Sequence, residues 1–253
     1  MPGAQVSPTR IAPDQTRIGL TQAFAVWCIT WVVGNIVGAA IISGAGYDST
    51  DVAPVWVTMA VAAGLWIPML VGLWVLSDRY HPVRLGAPTY PGYAFVDEYG
   101  LRFKVVDLIG IAVGVLSQLV LVRLVYWPLE RAWPDTFSRS RVERNARDLY
   151  DQAHGAWLVG LVAIVVIGAP FVEELMYRGL LQGAARRRLN DAVAVITVAA
   201  FFAFIHLRWV ELPGLFVFGL VLGICALRTG RLGMSIAAHM AFNATGLLLV
   251  ARL

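Results

Sequence analysis

The chain has 253 residues, of which 58% are hydrophobic and only 14% charged, with a mean hydropathy of +0.70. Soluble domains carry about 25% charged residues, so the composition excludes an ordinary soluble core and points to an all-α, polytopic membrane protein. The net charge of +4 is carried almost wholly by arginine, since Lys104 is the only lysine. No basic stripe with interleaved aromatics exists, so this excess reads as orientation and contact with anionic headgroups, not as nucleic-acid binding.

At ~20 apolar residues per span plus loops, the length predicts one transmembrane helical bundle of about seven or eight spans. Residues 1–17 form a polar N-terminal tail with Pro2, Pro8 and Pro13. The tail lacks the short apolar core and small-residue cleavage site of a signal peptide. The first span is predicted at roughly Ile18 to Ile42, where Gly34 and Gly38 offer a close-packing face. The second runs roughly from Pro54 to Leu76, with Pro68 expected to kink it. A loop from Ser77 to Lys104 follows. His81 reads there as a solvated histidine, and Tyr80, Tyr90, Tyr93 and Tyr99 suit a membrane interface.

The third span is predicted at roughly Val105 to Trp127, with Gly110 and Gly114 four apart and Arg123 able to snorkel. From Glu130 to His154 charges alternate with Val142, Ala146, Leu149 and Ala153, which predicts a short interfacial helix. Four further spans are expected, the first from about Ala156 into the Glu173–Arg178 stretch with Arg186 to Arg188 after it and the others at roughly 192–206, 212–227 and 234–250, joined by short connections and therefore antiparallel. A cytoplasmic N-terminus satisfies the positive-inside rule in four places and violates it at Arg131 to Arg147. Cys28 and Cys225 are isolated within apolar runs, with no metal-type spacing, and read as small buried hydrophobes.

Three polar clusters fall in the last four spans. The first is Glu173, Glu174 and Arg178. Glu174 and Arg178 are i,i+4 neighbours, the spacing of an intrahelical ion pair. Adjacent residues point about 100° apart, so Glu174 is expected to brace the helix with Arg178 while Glu173 faces the bundle interior. Pro170 should free the carbonyl of Val166, four residues earlier. The second cluster pairs Phe202 with His206, and the third pairs His239 with Asn243, each at the same helical spacing. A charge at membrane depth costs roughly 2.5–3.5 kcal/mol on insertion scales. Groups retained there are paired, used, or both.

Glu-Glu-x-x-x-Arg at 173–178, Phe-x-x-x-His at 202–206 and His-x-x-x-Asn at 239–243, in that order on successive spans, resemble the CPBP family of CAAX proteases and bacteriocin-processing enzymes. This family, also called Abi, includes the type II CAAX prenyl endopeptidases. The resemblance covers about Ala156 to Leu253, which implies a C-terminal catalytic four-helix core at 156–253 behind an N-terminal unit of three spans plus the interfacial segment at 18–155. It implies an intramembrane endopeptidase of glutamic type acting on a peptide or membrane-protein substrate in the bilayer. Glu173 and His206 would activate the attacking water. His239 and Asn243 would stabilise the oxyanion, with Glu174, Arg178 and Phe202 in support. Desolvation of a glutamate suits general-base work near neutral pH. Amide and imidazole N–H groups suit an oxyanion.

No cofactor is expected, although Glu173, His206 and His239 would make a two-histidine, one-carboxylate zinc site. Arginine-heavy usage points to a bacterial cytoplasmic membrane. Bacteria generally lack CAAX prenylation, so a non-prenyl substrate is expected. The alternatives are a non-catalytic membrane scaffold, a bacteriocin self-immunity or regulatory protein that retains the fold, and a proton relay or transporter.

Overall fold

The computed structural model describes residues 18–50, 53–80 and 92–251, and every regular element among them is helical. Helices α1 (Leu20–Gly44) and α2 (Val55–Tyr80) form an antiparallel pair. A short helix α3 (Tyr93–Glu98) leads into the long helix α4 (Val105–Ala132). Two short elements follow, α5 (Pro134–Phe137) and α6 (Arg139–Asp151). Then come α7 (Ala156–Ala185), α8 (Asp191–Ile205), α9 (Leu212–Thr229) and α10 (Gly233–Ala251). His81 and Tyr90, the Tyr80 side chain and the tail at 1–17 lie outside the described residues.

Six of these helices, α1, α2, α4, α7, α9 and α10, are long and apolar enough to cross a bilayer. That is fewer than the seven or eight spans expected, because α8 has only 15 residues. At ~1.5 Å per residue it reaches about 22 Å, short of the ~30 Å hydrocarbon core. Asn190 caps its start, the side-chain oxygen accepting from Val193 N–H at 2.9 Å.

The bundle exposes apolar side chains to its surroundings and buries a small polar cluster within an apolar interior. Ile29, Ile67, Val105 and Val159 face outward. Glu174, Arg178, Gln182, Ser235 and His239 are buried within. In water such an apolar exterior would drive aggregation. In lipid it is the favourable exterior, so the chain is an integral membrane protein.

Between lipid-solvated helices there is no hydrophobic drive to associate, so close backbone contact carries the packing. The glycines supply it. A Cβ at Gly34 would meet Leu65 Cα at 2.8 Å, so α1 and α2 touch through bare backbone. At the centre, Gly110 and Gly114 of α4 lie against the Met234–Ala238 backbone of α10. The last helix thus packs on α9, its sequence neighbour, and also on α4, α6 and α7.

One end of α4 is clamped to the turn before α10. Asp107 is 2% exposed and accepts two hydrogen bonds from Arg231, at 2.9 Å from Nε and 2.6 Å from Nη2. It also accepts from Lys104 N–H at 2.7 Å, so the same carboxylate caps the helix start. Leu232 N–H donates to Gly100 O at 2.9 Å beside it. Tyr99, expected at the interface, is instead buried and donates its hydroxyl to Leu73 O at 2.7 Å. The Leu73 carbonyl offers the phenol a partner inside the fold, and burial pushes its ionisation well above the usual tyrosine range.

Next to it, burial raises Glu98 from 4.5 to about 7, against the opposing pull of Arg187 and with a smaller push from Asp97. Between those values the folded chain keeps a proton that the unfolded chain has released. Stability therefore falls as pH rises through this window. Glu98→Gln removes that slope: its melting temperature should gain on wild type between about pH 4 and about pH 8. A difference that stays constant across this range would refute the assignment.

A Gly114→Val side chain would run into the Ala238 carbonyl, and neither backbone can move away cheaply. We expect a loss of at least ~2 kcal/mol by thermal unfolding in detergent. Gly44→Ala, which meets nothing within 4 Å, serves as the neutral control.

Candidate active site

The glutamates sit on a helix whose winding changes around them. In α7 the segment Ala163–Gly168 is a π turn, and Ala169 N–H closes it on Ile164 O, five residues back. The turn Ala169–Glu174 returns to α spacing and carries both carboxylates. A second π segment, Leu175–Gln182, carries Arg178. Single π turns inside helices recur at functional sites because they re-aim side chains without ending the helix.

Glu174 is fully buried. Its Oε1 accepts from Arg178 Nη1 at 2.7 Å and from the Nδ1–H of His239 at 2.9 Å. Arg178 also donates Nη2–H to Gly219 O of α9 at 3.2 Å. One turn further, Gln182 donates Nε2–H to Gly223 O at 3.0 Å. The predicted Glu174–Arg178 brace is present, but the interior position belongs to Glu174 and not to Glu173. The reason is the pair itself, because Arg178 reaches the α9 backbone and draws Glu174 inward. Glu173, about 100° away, keeps 26% of its side chain exposed, and its Oε2 lies 3.7 Å from His239 Nε2. His239 thus stands between two carboxylates, one on each ring nitrogen.

Phe202 of α8 organises the remaining groups. Its ring lies 4.6 Å below the Arg178 guanidinium. It packs edge-on against Tyr177 at 5.1 Å, His206 at 4.8 Å and His239 at 5.9 Å. Phe218 of α9 covers His239 on another side at 5.4 Å. His206 follows the last residue of α8, and its Nδ1–H donates to Phe202 O at 2.6 Å. A carbonyl can only accept, so the neutral ring keeps Nε2 as its acceptor. His206 shares Phe202 with His239 but makes no ion pair with either glutamate.

Asn243 does not project beside His239 as a free amide. Its Nδ2 donates to Val165 O at 2.8 Å. The carbonyl expected to be freed by Pro170 was that of Val166, on α spacing. In the π turn the partner of residue 170 is Val165, five residues back, and Pro170 has no N–H to give. The orphan carbonyl has moved by one residue, and Asn243 covers it.

No three His, Cys, Asp or Glu side chains among the described residues form a group able to hold a metal ion. Glu173, His206 and His239 therefore do not make the zinc site that their types allow.

Gln182, Phe218 and the Asp107–Arg231 clamp were not singled out in the sequence. Gln182 had a signal, since 174, 178 and 182 repeat at i,i+4 on one face. Phe218 had none, because a phenylalanine in an apolar span resembles any lipid-facing one.

Removing one partner of the buried pair strands the other charge. Glu174→Met and Arg178→Met should each lose about 3–5 kcal/mol, and the double variant should lose less than their sum. Thermal unfolding of the four proteins in detergent measures this, and additive losses would refute the coupling.

Residues 155–245, which hold all three polar clusters, match the family model described as type II CAAX prenyl endopeptidase Rce1-like. No curated protein and no solved structure gives a significant match to the chain. The Glu174–Arg178–His239 network, with Glu173 and His206 beside it, falls wholly inside the matched stretch. Residues 155–245 of this chain are thus a domain of the Rce1-like type II CAAX prenyl endopeptidase family, also called CPBP or Abi.

Proposed function

We propose that the chain is an intramembrane endopeptidase that hydrolyses a peptide bond in a membrane-associated or lipidated substrate. The observation that carries this reading is His239 held between Glu174 and Glu173 inside an apolar bundle. A purely structural ion pair needs one carboxylate. The second, partly exposed one on the free side of the imidazole is surplus to bracing and accessible to a reactant.

In the proposed reaction a water lies between the Glu173 carboxylate and His206 Nε2. One of them takes a proton as the water oxygen bonds to the substrate carbonyl carbon. The carbonyl π electrons move onto oxygen. With a proton on each ring nitrogen His239 donates Nε2–H to that oxyanion, while Glu174 accepts from Nδ1–H. The second amide hydrogen of Asn243 is the other donor. One such donor is worth about 2.7–4 kcal/mol in other hydrolases. The C–N bond then breaks, and the proton taken from water passes to the leaving amine. Charge and protons balance without a further reactant.

The family name supports a peptide substrate. The arginine-rich, lysine-poor composition supports a bacterial membrane host, and with it a substrate other than a prenylated tail.

Purified protein in liposomes with host membrane proteins should produce new peptide termini, read by mass spectrometry. Glu173→Gln, folded to the same melting temperature, should lose at least about 100-fold of that turnover. Wild-type turnover in Glu173→Gln would remove this residue from the mechanism. No new termini with wild type would favour a non-catalytic scaffold instead.

A further inference from the structure

We propose that Asn243 is also a positioning residue for Glu173, acting through the backbone of the π turn; this rests on the peptidase reading above. Three observations on one helix carry it. The π turn ends where Ala169 N–H bonds Ile164 O, so the next bond in that register would run from residue 170 to Val165 O. Residue 170 is a proline, which has no N–H. Asn243 of α10 supplies the missing donor at 2.8 Å.

The consequence for the site follows from where this happens. Pro170 and Glu173 belong to the same six-residue turn, Ala169–Glu174, wound between two π segments. A helix of uniform α spacing would rotate that turn and carry both carboxylates away from His239. A carbonyl left unbonded in an apolar bundle costs free energy, which would favour rewinding toward another register. The amide removes that incentive. It ties the π turn to α10, the helix that also carries His239, so Glu173 and His239 are placed by one helix–helix contact. Gly110 and Gly114 hold α10 itself against α4.

The test restores the missing donor. In Pro170→Ala, residue 170 regains an N–H facing Val165 O, so the Asn243 amide becomes redundant for that carbonyl but not for a substrate oxyanion. Four proteins are compared: wild type, Asn243→Ala, Pro170→Ala and the double variant. Each is scored by melting temperature and by kcat and KM on the peptide bond that wild type cuts, with kcat normalised to folded protein. Asn243→Ala should lower kcat by about 100-fold with KM within about twofold. Adding Pro170→Ala should recover about tenfold of that loss, the worth of one hydrogen bond. The melting-temperature loss caused by Asn243→Ala should fall by more than half in the Pro170→Ala background.

An equal kcat loss in both backgrounds would overturn the positioning role and leave the amide acting on substrate alone. Additive melting shifts would show that Asn243 does not stand in for the missing donor. Wild type that cuts nothing would sink the peptidase reading and the kinetic part with it, while the melting cycle would still decide the backbone part. Should Asn243→Ala fail to fold, Asn243→Leu, closer in volume and also without a donor, carries the same comparison.

Discussion

The structure depends on one oxygen, Oε1 of Glu174, which accepts from Arg178 and from His239 at the same time. In a low-dielectric bundle an isolated charge is prohibitive, and even a simple pair barely breaks even against apolar packing. Joining three groups adds the His239 hydrogen bond to the Glu174–Arg178 ion pair. Three helices then have fixed relative positions. Arg178 reaches the Gly219 carbonyl of α9, Glu174 belongs to α7, and His239 belongs to α10. The geometry of the candidate site and the helix packing are the same set of bonds.

Around that set the helices meet through close glycine contacts as well as through buried apolar side chains. A lipid solvent removes most of the gain from burying leucine against leucine. What remains is dispersion at short range and polar bonds, and both require backbones to come close. Gly34 against Leu65, and Gly110 and Gly114 against Met234–Ala238, are where that happens. The second contact ties α4, which lies before the matched family stretch, to the helix carrying His239 and Asn243. Asp107 and Arg231 fasten the same two elements at one end. Near the other end Tyr126 fastens α4 to the start of α9 instead, its hydroxyl donating to Val210 O at 2.7 Å and accepting from Gly214 N–H at 3.3 Å. The loop that follows His206 is thus fixed by a side chain from α4.

Much of the site was legible from spacing. Glu174 and Arg178 at i,i+4 announced their ion pair, and Phe202 and His206 announced their shared face. These are intrahelical relations, set by 3.6 residues per turn and little else. One error arose where that period fails. Uniform α spacing placed the orphan carbonyl at Val166, and the π turn moved it by one residue, because five-residue bonds carry a different phase. Glu174 rather than Glu173 is interior for a tertiary reason, since Arg178 reaches the α9 backbone and draws its partner inward. The short α8 was misjudged for another reason: an apolar run ending in Phe-Ile-His looks the same whether or not it spans the full bilayer.

The sequence by itself determined that this is a membrane-embedded helical protein and which ionisable side chains lie within its spans. Apolar runs of twenty residues have few other folds open to them, and ionisable groups within such runs cannot be accidental. Only the tertiary structure decided which carboxylate is interior, which ring nitrogen each glutamate meets, and what Asn243 donates to. Those relations join residues 65 to 78 positions apart. They depend on the crossing of α7 and α10 and on local helix winding, and no periodicity in one strand of sequence encodes either.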